Sequence, residues 1–154
     1  MALFNVRVYG ILIDEEDRLL VSDEFIRGAY ITKLPGGGLE IGEGTRDGLA
    51  REFMEEANLK ITVGDHFYTT DFFQISAFNN VDQIISIYYL VHSENTKDIQ
   101  AKTIAFDFLP EQVADIKGTA EHLRWIPLHE LDEASMTLPI DKVAIKMLLD
   151  QKRF

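Results

Sequence analysis

At 154 residues the chain is long enough for one domain around one hydrophobic core, and its 46% hydrophobic content is that of an ordinary globular protein. Fifteen Lys and Arg against 26 Asp and Glu leave a formal net charge of −11. That surface repels phosphate backbones and anionic lipid, which excludes a nonspecific nucleic-acid or membrane-surface binder; the absence of cysteine excludes disulfides, thiolate nucleophiles and zinc–thiolate sites.

The opening run MALFNVRVYGILIDEED has no basic start followed by an apolar stretch and a small-residue cleavage site. No stretch nears the roughly 20 apolar residues that span a bilayer, so a soluble cytoplasmic protein is expected. Asn5 to Ile13, rich in Val, Ile and Tyr, predicts a strand. Asp14, Glu15, Glu16 and Asp17 predict a solvated hairpin tip rather than a cation loop, since no glycine shapes a calcium turn. Arg18 to Val21 returns as a second strand, and Ile31 to Leu34 is a short strand that stops at Pro35.

Next comes Pro35-Gly36-Gly37-Gly38-Leu39-Glu40-Ile41-Gly42-Glu43-Gly44. Thr45 then caps a helix predicted to run to about Ala57, with Asp47 placed against the positive end of its dipole. Residues 60 to 77 and 83 to 92 read as two long strands, joined by turn chemistry at Asn79-Asn80-Val81-Asp82. Residues 93 to 103 are polar and predict a loop, whereas Ile104 to Leu109 fits a strand or a short helix. Leu123 to Ile126 predicts a last strand ending at Pro127. A final helix begins near Pro139, with Ile140, Val143, Ala144, Met147 and Leu148 at helical spacing. No repeat, linker or low-complexity run divides the chain, so 1–154 is expected to be a single α/β domain.

On a helical wheel for 45–57, Leu49, Ala50, Phe53, Met54 and Ala57 share the face expected to meet the core. Glu52, Glu55 and Glu56 gather on the opposite arc with Arg51 at its edge. A solvated acidic face describes most such helices. Here Glu52 and Glu56 are like charges at i, i+4, which destabilises an isolated helix by a few tenths of a kcal/mol. A hard cation among three carboxylates removes that conflict, because magnesium takes oxygen ligands. The adjoining glycines, which let a backbone approach a ligand closely, favour a site over a structural turn. Two other phosphate loops are excluded. A P-loop needs Lys and Ser/Thr after its last glycine, but Glu43 follows Gly42. The dinucleotide fingerprint fails because Ile41 occupies its third glycine position.

Loop and helix together resemble the Nudix box, G-x5-E-x7-R-E-U-x-E-E-x-G-U with U apolar. Gly37 opens it, Glu43, Arg51-Glu52, Phe53 and Glu55-Glu56 follow at the required spacing, and Leu59 closes it. One fixed position departs: Asn58 stands in place of glycine, and Asn is the non-glycine residue best suited to a left-handed helix stop. A β-hairpin before the box, Leu34-Pro35-Gly36-Gly37 leading in, and Trp125-Ile126-Pro127-Leu128 before the last helix agree with the same family.

The resemblance implies a Nudix-type α/β/α sandwich with a mixed β-sheet between helices. It also implies a Mg2+-dependent hydrolase, with Mn2+ as a substitute ion, that cleaves the pyrophosphate bond of a nucleoside diphosphate linked to another moiety. A nucleotide sugar, an ADP-ribose-like compound or a (d)NTP would serve as substrate. Two or more metals would activate the attacking water and neutralise the leaving phosphate. Glu52, Glu55, Glu56 and the Gly37 backbone would hold metal, Arg51 would orient the acids through Glu43, and Gly36, Gly37 and Gly38 would take part in substrate binding. Glu121, four residues before Trp125, is the candidate for a loop carboxylate serving as metal ligand or general base, with a surface acid as the alternative; Asp115 stands second.

Arg7, Arg27 and Lys33 are the candidate phosphate-binding cations, each otherwise an ordinary surface charge. Phe72, Phe73 and Tyr68 offer rings to a base but at strand spacing fit the core. The four histidines show no metal-ligand spacing, and His122 is a further candidate general base. No proline lies between Pro35 and Pro110, where ADP-ribose-type members often carry one beyond the box. Tyr68 and Tyr88 miss the place of the tyrosine found in dinucleoside-polyphosphate members. The alternative function is a noncatalytic Nudix-type sensor of nucleotides or sugar nucleotides. No nucleic-acid or membrane partner is expected; a homodimer is compatible with the resemblance.

Overall fold

The valine- and tyrosine-rich start of the chain forms β1 (Phe4–Leu12). The computed structural model describes residues 1–151. After β1 come β2 (Arg18–Ile26), β3 (Ala29–Lys33), β4 (Gly36–Gly38) and α1 (Thr45–Ala57). β5 (Thr62–Thr69), β6 (Gln83–His92), β7 (Ala101–Lys102), β8 (Thr119–Pro127) and α2 (Pro139–Asp150) complete the order. The chain divides into two compact units: Met1–Leu12 with Pro35–Asp98, and Ile13–Leu34 with the residues from Ile99 on. Each unit has its own four-stranded mixed sheet, so the expected α/β class with mixed pairing is present, carried by two sheets.

In the first unit the strand order is β4-β1-β6-β5. β1 runs parallel to β6, and the other pairs are antiparallel. Helix α1 is anchored by Phe53, which is fully buried, with Leu49 beside it in sequence register. The Phe53 ring lies where Gly10 of β1 has no side chain: a Cβ there would come within 2.6 Å of it. On the other face of the sheet, Tyr9 of β1 stacks on Tyr88 of β6 with ring centroids 5.4 Å apart, and Tyr68 of β5 continues the row. The helix ends as expected: Asn58 is left-handed (φ 48°) and its N–H donates to the Met54 carbonyl.

Several expectations need correction in this unit. Gly44, not Thr45, precedes the helix, and the Thr45 hydroxyl is paired with Tyr89 Oη at 2.7 Å. Met54 is exposed, so the buried stripe is narrower than the wheel suggested. The strand expected over 60 to 77 ends at Thr69. The Thr70 hydroxyl hydrogen-bonds β6 at Ser86, and Ser76 then turns the chain by accepting the N–H groups of Phe78 and Asn79. The turn at 79–82 is as read: Asn79 Oδ1 accepts from Val81 and Asp82 N–H.

In the second unit the order is β3-β2-β8-β7, with only β7 and β8 parallel. β2 runs five residues beyond the expected end and pairs with β3 through a two-residue turn, Arg27-Gly28. Both turn residues have positive φ (51° and 81°), the geometry that matches the twist of a tight hairpin. The tip at 14–17 is not uniformly solvated. Asp14 is buried and accepts from Glu16 N–H, Arg18 N–H and the Arg18 guanidinium. β8 begins at Thr119, earlier than expected. Residues 93–103, expected to be loop, contain a 3-10 turn at Thr96–Asp98 and β7, and Ile104 to Leu109 forms neither strand nor helix. Helix α2 has Pro139 in its first turn and buries Ile140, Ala144, Ile145 and Leu148.

In this unit the Asp23 side chain is fully buried. The Arg124 guanidinium grips it through two hydrogen bonds of 2.6 and 3.0 Å, and the Thr32 hydroxyl and the Phe106 N–H also donate to it. Burial pushes its carboxyl up, but these donors outweigh burial and hold it below the ordinary aspartate range. The network ties the irregular 104–109 segment to the sheet.

Candidate active site

β4 is three consecutive glycines, and packing dictates two of them. Gly36 pairs with Tyr9 at φ 146°, and a Cβ on it would lie 2.0 Å from the Val8 carbonyl oxygen. Gly37 faces α1 so closely that a Cβ would lie 2.6 to 2.8 Å from the carboxylate atoms of Glu52. The strand therefore forms a cradle for a carboxylate, shaped by the missing side chain. The Glu56 carboxylate accepts a long hydrogen bond from the Gly36 N–H at 3.4 Å.

Arg51 organises the acids. Its Nε and Nη2 grip Glu43 at 3.0 and 2.7 Å, a two-pronged geometry that only a planar guanidinium makes. Nη2 also donates to the Gly38 carbonyl at 3.0 Å, and Nη1 reaches Glu52 and Glu55, both at 3.1 Å. The expected link from Arg51 through Glu43 is thus in place. Hydrogen bonds from Arg51, joined by one from the Glu40 N–H, hold the Glu43 carboxyl down at about 2. The same contact with Glu43, followed by Glu52 and Glu55, raises the Arg51 pKa above its ordinary value. A Cβ at Gly48 would lie 2.8 Å from Glu43, so a second glycine makes room for this pair.

The groups that β4 and Arg51 gather offer oxygen: Glu52 lies against Gly37, Glu56 meets the Gly36 N–H, Glu55 shares Arg51 Nη1 with Glu52, and the Gly38 carbonyl accepts from Arg51. That set fits a hard divalent cation and not a soft one. Among the described residues, however, no three His, Asp or Glu side chains stand close enough together to enclose a metal ion. Arg51 Nη1 holds Glu52 and Glu55 instead.

Of the candidate cations, Arg7 belongs to this unit. It sits opposite Gly38 in the β1–β4 register, and its Nε donates to Tyr9 Oη at 2.6 Å. The other two lie in the second unit. Arg27 forms the β2–β3 turn. Lys33 is buried and pairs with the buried Glu24 at 3.1 Å, so it is not the open cation its sequence position suggested.

Glu121 is on β8 opposite Glu24 of β2, a strand residue and not a loop acid. Asp115 closes a turn by accepting the Lys117 N–H. His122 Nε2 accepts the Asp107 N–H at 3.0 Å, which engages the lone pair a general base would use. Tyr68 is buried, as expected for a core residue, whereas Phe72 and Phe73 are exposed. Sequence reasoning missed Asp23 and Arg124, which come together across 101 positions with no local pattern to mark them.

The fold is found in solved structures. A NUDIX hydrolase from Nitrosomonas europaea is similar with a TM-score of 0.66 and 22% identity, over 97% of this chain and 91% of that one. A MutT protein from Methanosarcina mazei gives 0.66 and 18%, over 99% and 98%. An ADP-ribose pyrophosphatase from Streptococcus suis gives 0.59 and 15%, over 97% and 92%. A MutT-like protein from Streptomyces ambofaciens is 36% identical over 63 residues, a match that spans 41% of this chain and 40% of that protein. No helix among the described residues is long and apolar enough to cross a membrane. The NUDIX domain model matches residues 3–148 and so runs through both units; the chain belongs to the NUDIX domain family.

Proposed function

We propose that this chain is a pyrophosphohydrolase, one catalytic domain over 1–154, that uses Mg2+, or Mn2+ in its place, to hydrolyse a nucleoside diphosphate linked to a second moiety. The observation that carries the reading is the Glu52 carboxylate set over Gly37 and tied to Arg51, which is itself fixed by Glu43 and the Gly38 carbonyl. A surface acid has no need of a glycine cradle and a five-bonded guanidinium. The comparisons support the same class: the chain shares its fold with a NUDIX hydrolase and with an ADP-ribose pyrophosphatase.

In the proposed reaction water forms a new P–O bond as the bridging P–O bond of the pyrophosphate breaks, and the leaving phosphate departs in line. A divalent cation, when bound, would lower the pKa of that water and neutralise charge on the phosphates. Glu52, Glu55, Glu56 and the Gly37 carbonyl are the residues that would hold it. Arg51 keeps its grip on Glu43 and Gly38 through Nε and Nη2, so only Nη1 has to release Glu52 and Glu55. Arg7, beside Gly38 and steadied by Tyr9, would take substrate phosphate oxygens next to the Gly36–Gly38 backbone. Glu121 is carried as a further acid, and an unchanged rate and pH profile in Glu121→Gln removes it.

The test is a hydrolysis screen with Mg2+ over (d)NTPs, nucleotide sugars, ADP-ribose and dinucleoside polyphosphates. Turnover of at least one, abolished by chelation, is expected. The alternative is a nucleotide sensor in which Glu52 and Glu55 stay paired to Arg51 Nη1. Tight binding of a nucleotide without turnover would select it.

A further inference from the structure

Tyr89 of β6 stands beside Gly10 of β1, the residue whose missing side chain makes room for the Phe53 ring. Tyr89 is buried, and its hydroxyl is hydrogen-bonded at 2.7 Å to that of Thr45, the first residue of α1. Helix α1 is thus fastened at neighbouring positions of two strands, by the Phe53 ring at Gly10 and by the Thr45 hydroxyl at Tyr89. About 12 Å of helix axis separates the two anchors. The ring contact is not directional, whereas the hydrogen bond is, so the second anchor limits how the N-terminal end can move. That end needs fastening, because Gly44 precedes the helix and offers no side-chain cap, and an uncapped first turn frays. Tyr89 is itself held in place. The Arg46 guanidinium lies 4.8 Å over its ring and donates to the Val63 carbonyl, and the His66 ring meets its edge at 6.0 Å.

We infer that the Tyr89 hydroxyl is a positioning group for the acids of α1, acting through Thr45, Glu43 and Arg51. Glu43 lies just before the first turn, and its carboxylate packs on Gly48 inside that turn, where a Cβ would stand 2.8 Å from Oε1. Arg51 sits beyond it, in the middle of the helix, and holds Glu43 with Nε and Nη2. Opening of the first turn draws Glu43 away while Arg51 stays with the body of the helix. A guanidinium that loses a two-pronged partner loses its fixed plane, and Nη1, which meets Glu52 and Glu55, turns with it. Tyr89 therefore acts on Glu52 without touching it. The catalytic consequence rests on the hydrolase function proposed above, whereas the mechanical link from Tyr89 to Arg51 does not. Two hydroxyls that only satisfied each other in the core would stabilise the protein and leave Arg51 unaffected.

Tyr89→Phe and Thr45→Val each remove one hydroxyl and keep the bulk of the side chain, while Thr45→Ser keeps the hydroxyl; Thr45→Ala serves if the valine variant fails to fold. Hydrogen exchange of the Arg51 Nε–H, followed by NMR in the full chain, reads the link without any substrate. It should be about 10-fold faster or more in Tyr89→Phe and in Thr45→Val, and as in the wild type in Thr45→Ser. The double variant should be no faster than either single one, because each hydroxyl acts only on the other. With Mg2+ and a substrate of the wild type, kcat should fall about 10-fold in the same two variants at unchanged KM, since a displacement of 1 Å costs about 100-fold. Tm should shift by no more than about 4 °C. Wild-type Arg51 exchange in both hydroxyl-less variants, additive effects in the double variant, or Thr45→Ser behaving as Thr45→Val would overturn the inference. So would a lowered Tm with kcat unchanged below it. A chain that hydrolyses nothing yet shows the expected exchange pattern would keep the link and overturn the hydrolase function instead.

Discussion

The Glu52 carboxylate lies against Gly37 so closely that a single added methyl would stand 2.6 Å from Oε1. Gly37→Ala should therefore displace Glu52 while leaving the fold intact, because the obstructing atoms are the free end of a side chain. A misplacement near 1 Å costs a catalytic group about 100-fold in rate, and kcat should fall by that order with little change in Tm. Gly36→Ala is the contrasting variant. Its Cβ would strike the Val8 carbonyl at 2.0 Å, and backbone cannot step aside, so Tm should drop along with activity. Equal effects of the two substitutions on Tm would contradict this division.

Glu43 and Arg51 make stability depend on acid pH. Arg51 and the Glu40 N–H hold the folded carboxyl at about 2, against an ordinary value of 4.5. A carboxyl depressed by folding stabilises the protein above its ordinary pKa, and that contribution is lost as pH falls from 4.5 towards 2. Urea midpoints taken between neutral pH and pH 2 should fall more steeply in this window for the wild type than for Arg51→Met. Identical slopes would place the pH dependence elsewhere.

Asp23→Ala leaves the Arg124 guanidinium without its partner inside the second unit. Removing one member of a buried pair costs about 3–5 kcal/mol, which in a domain of this size lowers Tm by about 10 °C. Calorimetry checks the shift, and a loss under a few degrees would show that Arg124 finds other partners. Turnover measured below the new Tm should be retained.

How much of this was legible from the sequence depends on how local each cause is. Helix α1, the β6 strand and the start of α2 follow from nearby residues: a glycine loop, a β-branched run, a proline. Asn58 was legible as a helix stop for the same reason, since φ is a property of the residue itself. The strand over 60 to 77 was overextended because Phe72, Phe73 and Ile75 favour a strand by type, while the turn that breaks it depends on Ser76 and on Ser86, ten positions later. Thr45 fits a cap locally, yet its hydroxyl is drawn to Tyr89, 44 residues away. In the candidate site, the Arg51–Glu43 link was legible from motif spacing, but the pairing of Lys33 with Glu24 needed the β2–β3 register.

That pairing separates two roles for Lys33. As a buried partner of Glu24, its replacement by Ala should lower Tm by an amount comparable to Asp23→Ala, with KM unchanged below the transition. A raised KM at unaltered Tm would restore the phosphate-binding role that sequence position suggested.

Glu56→Gln asks whether the glutamates of α1 serve hydrolysis. The substitution keeps shape and removes charge from a side chain that already touches the Gly36 N–H. With Mg2+ and whichever substrate the wild type hydrolyses, kcat should fall by about 3 orders of magnitude or more, as for the loss of a group acting at the reacting centre, with an unchanged circular dichroism spectrum and Tm. Hydrolysis at the wild-type rate by folded Glu56→Gln would contradict the account.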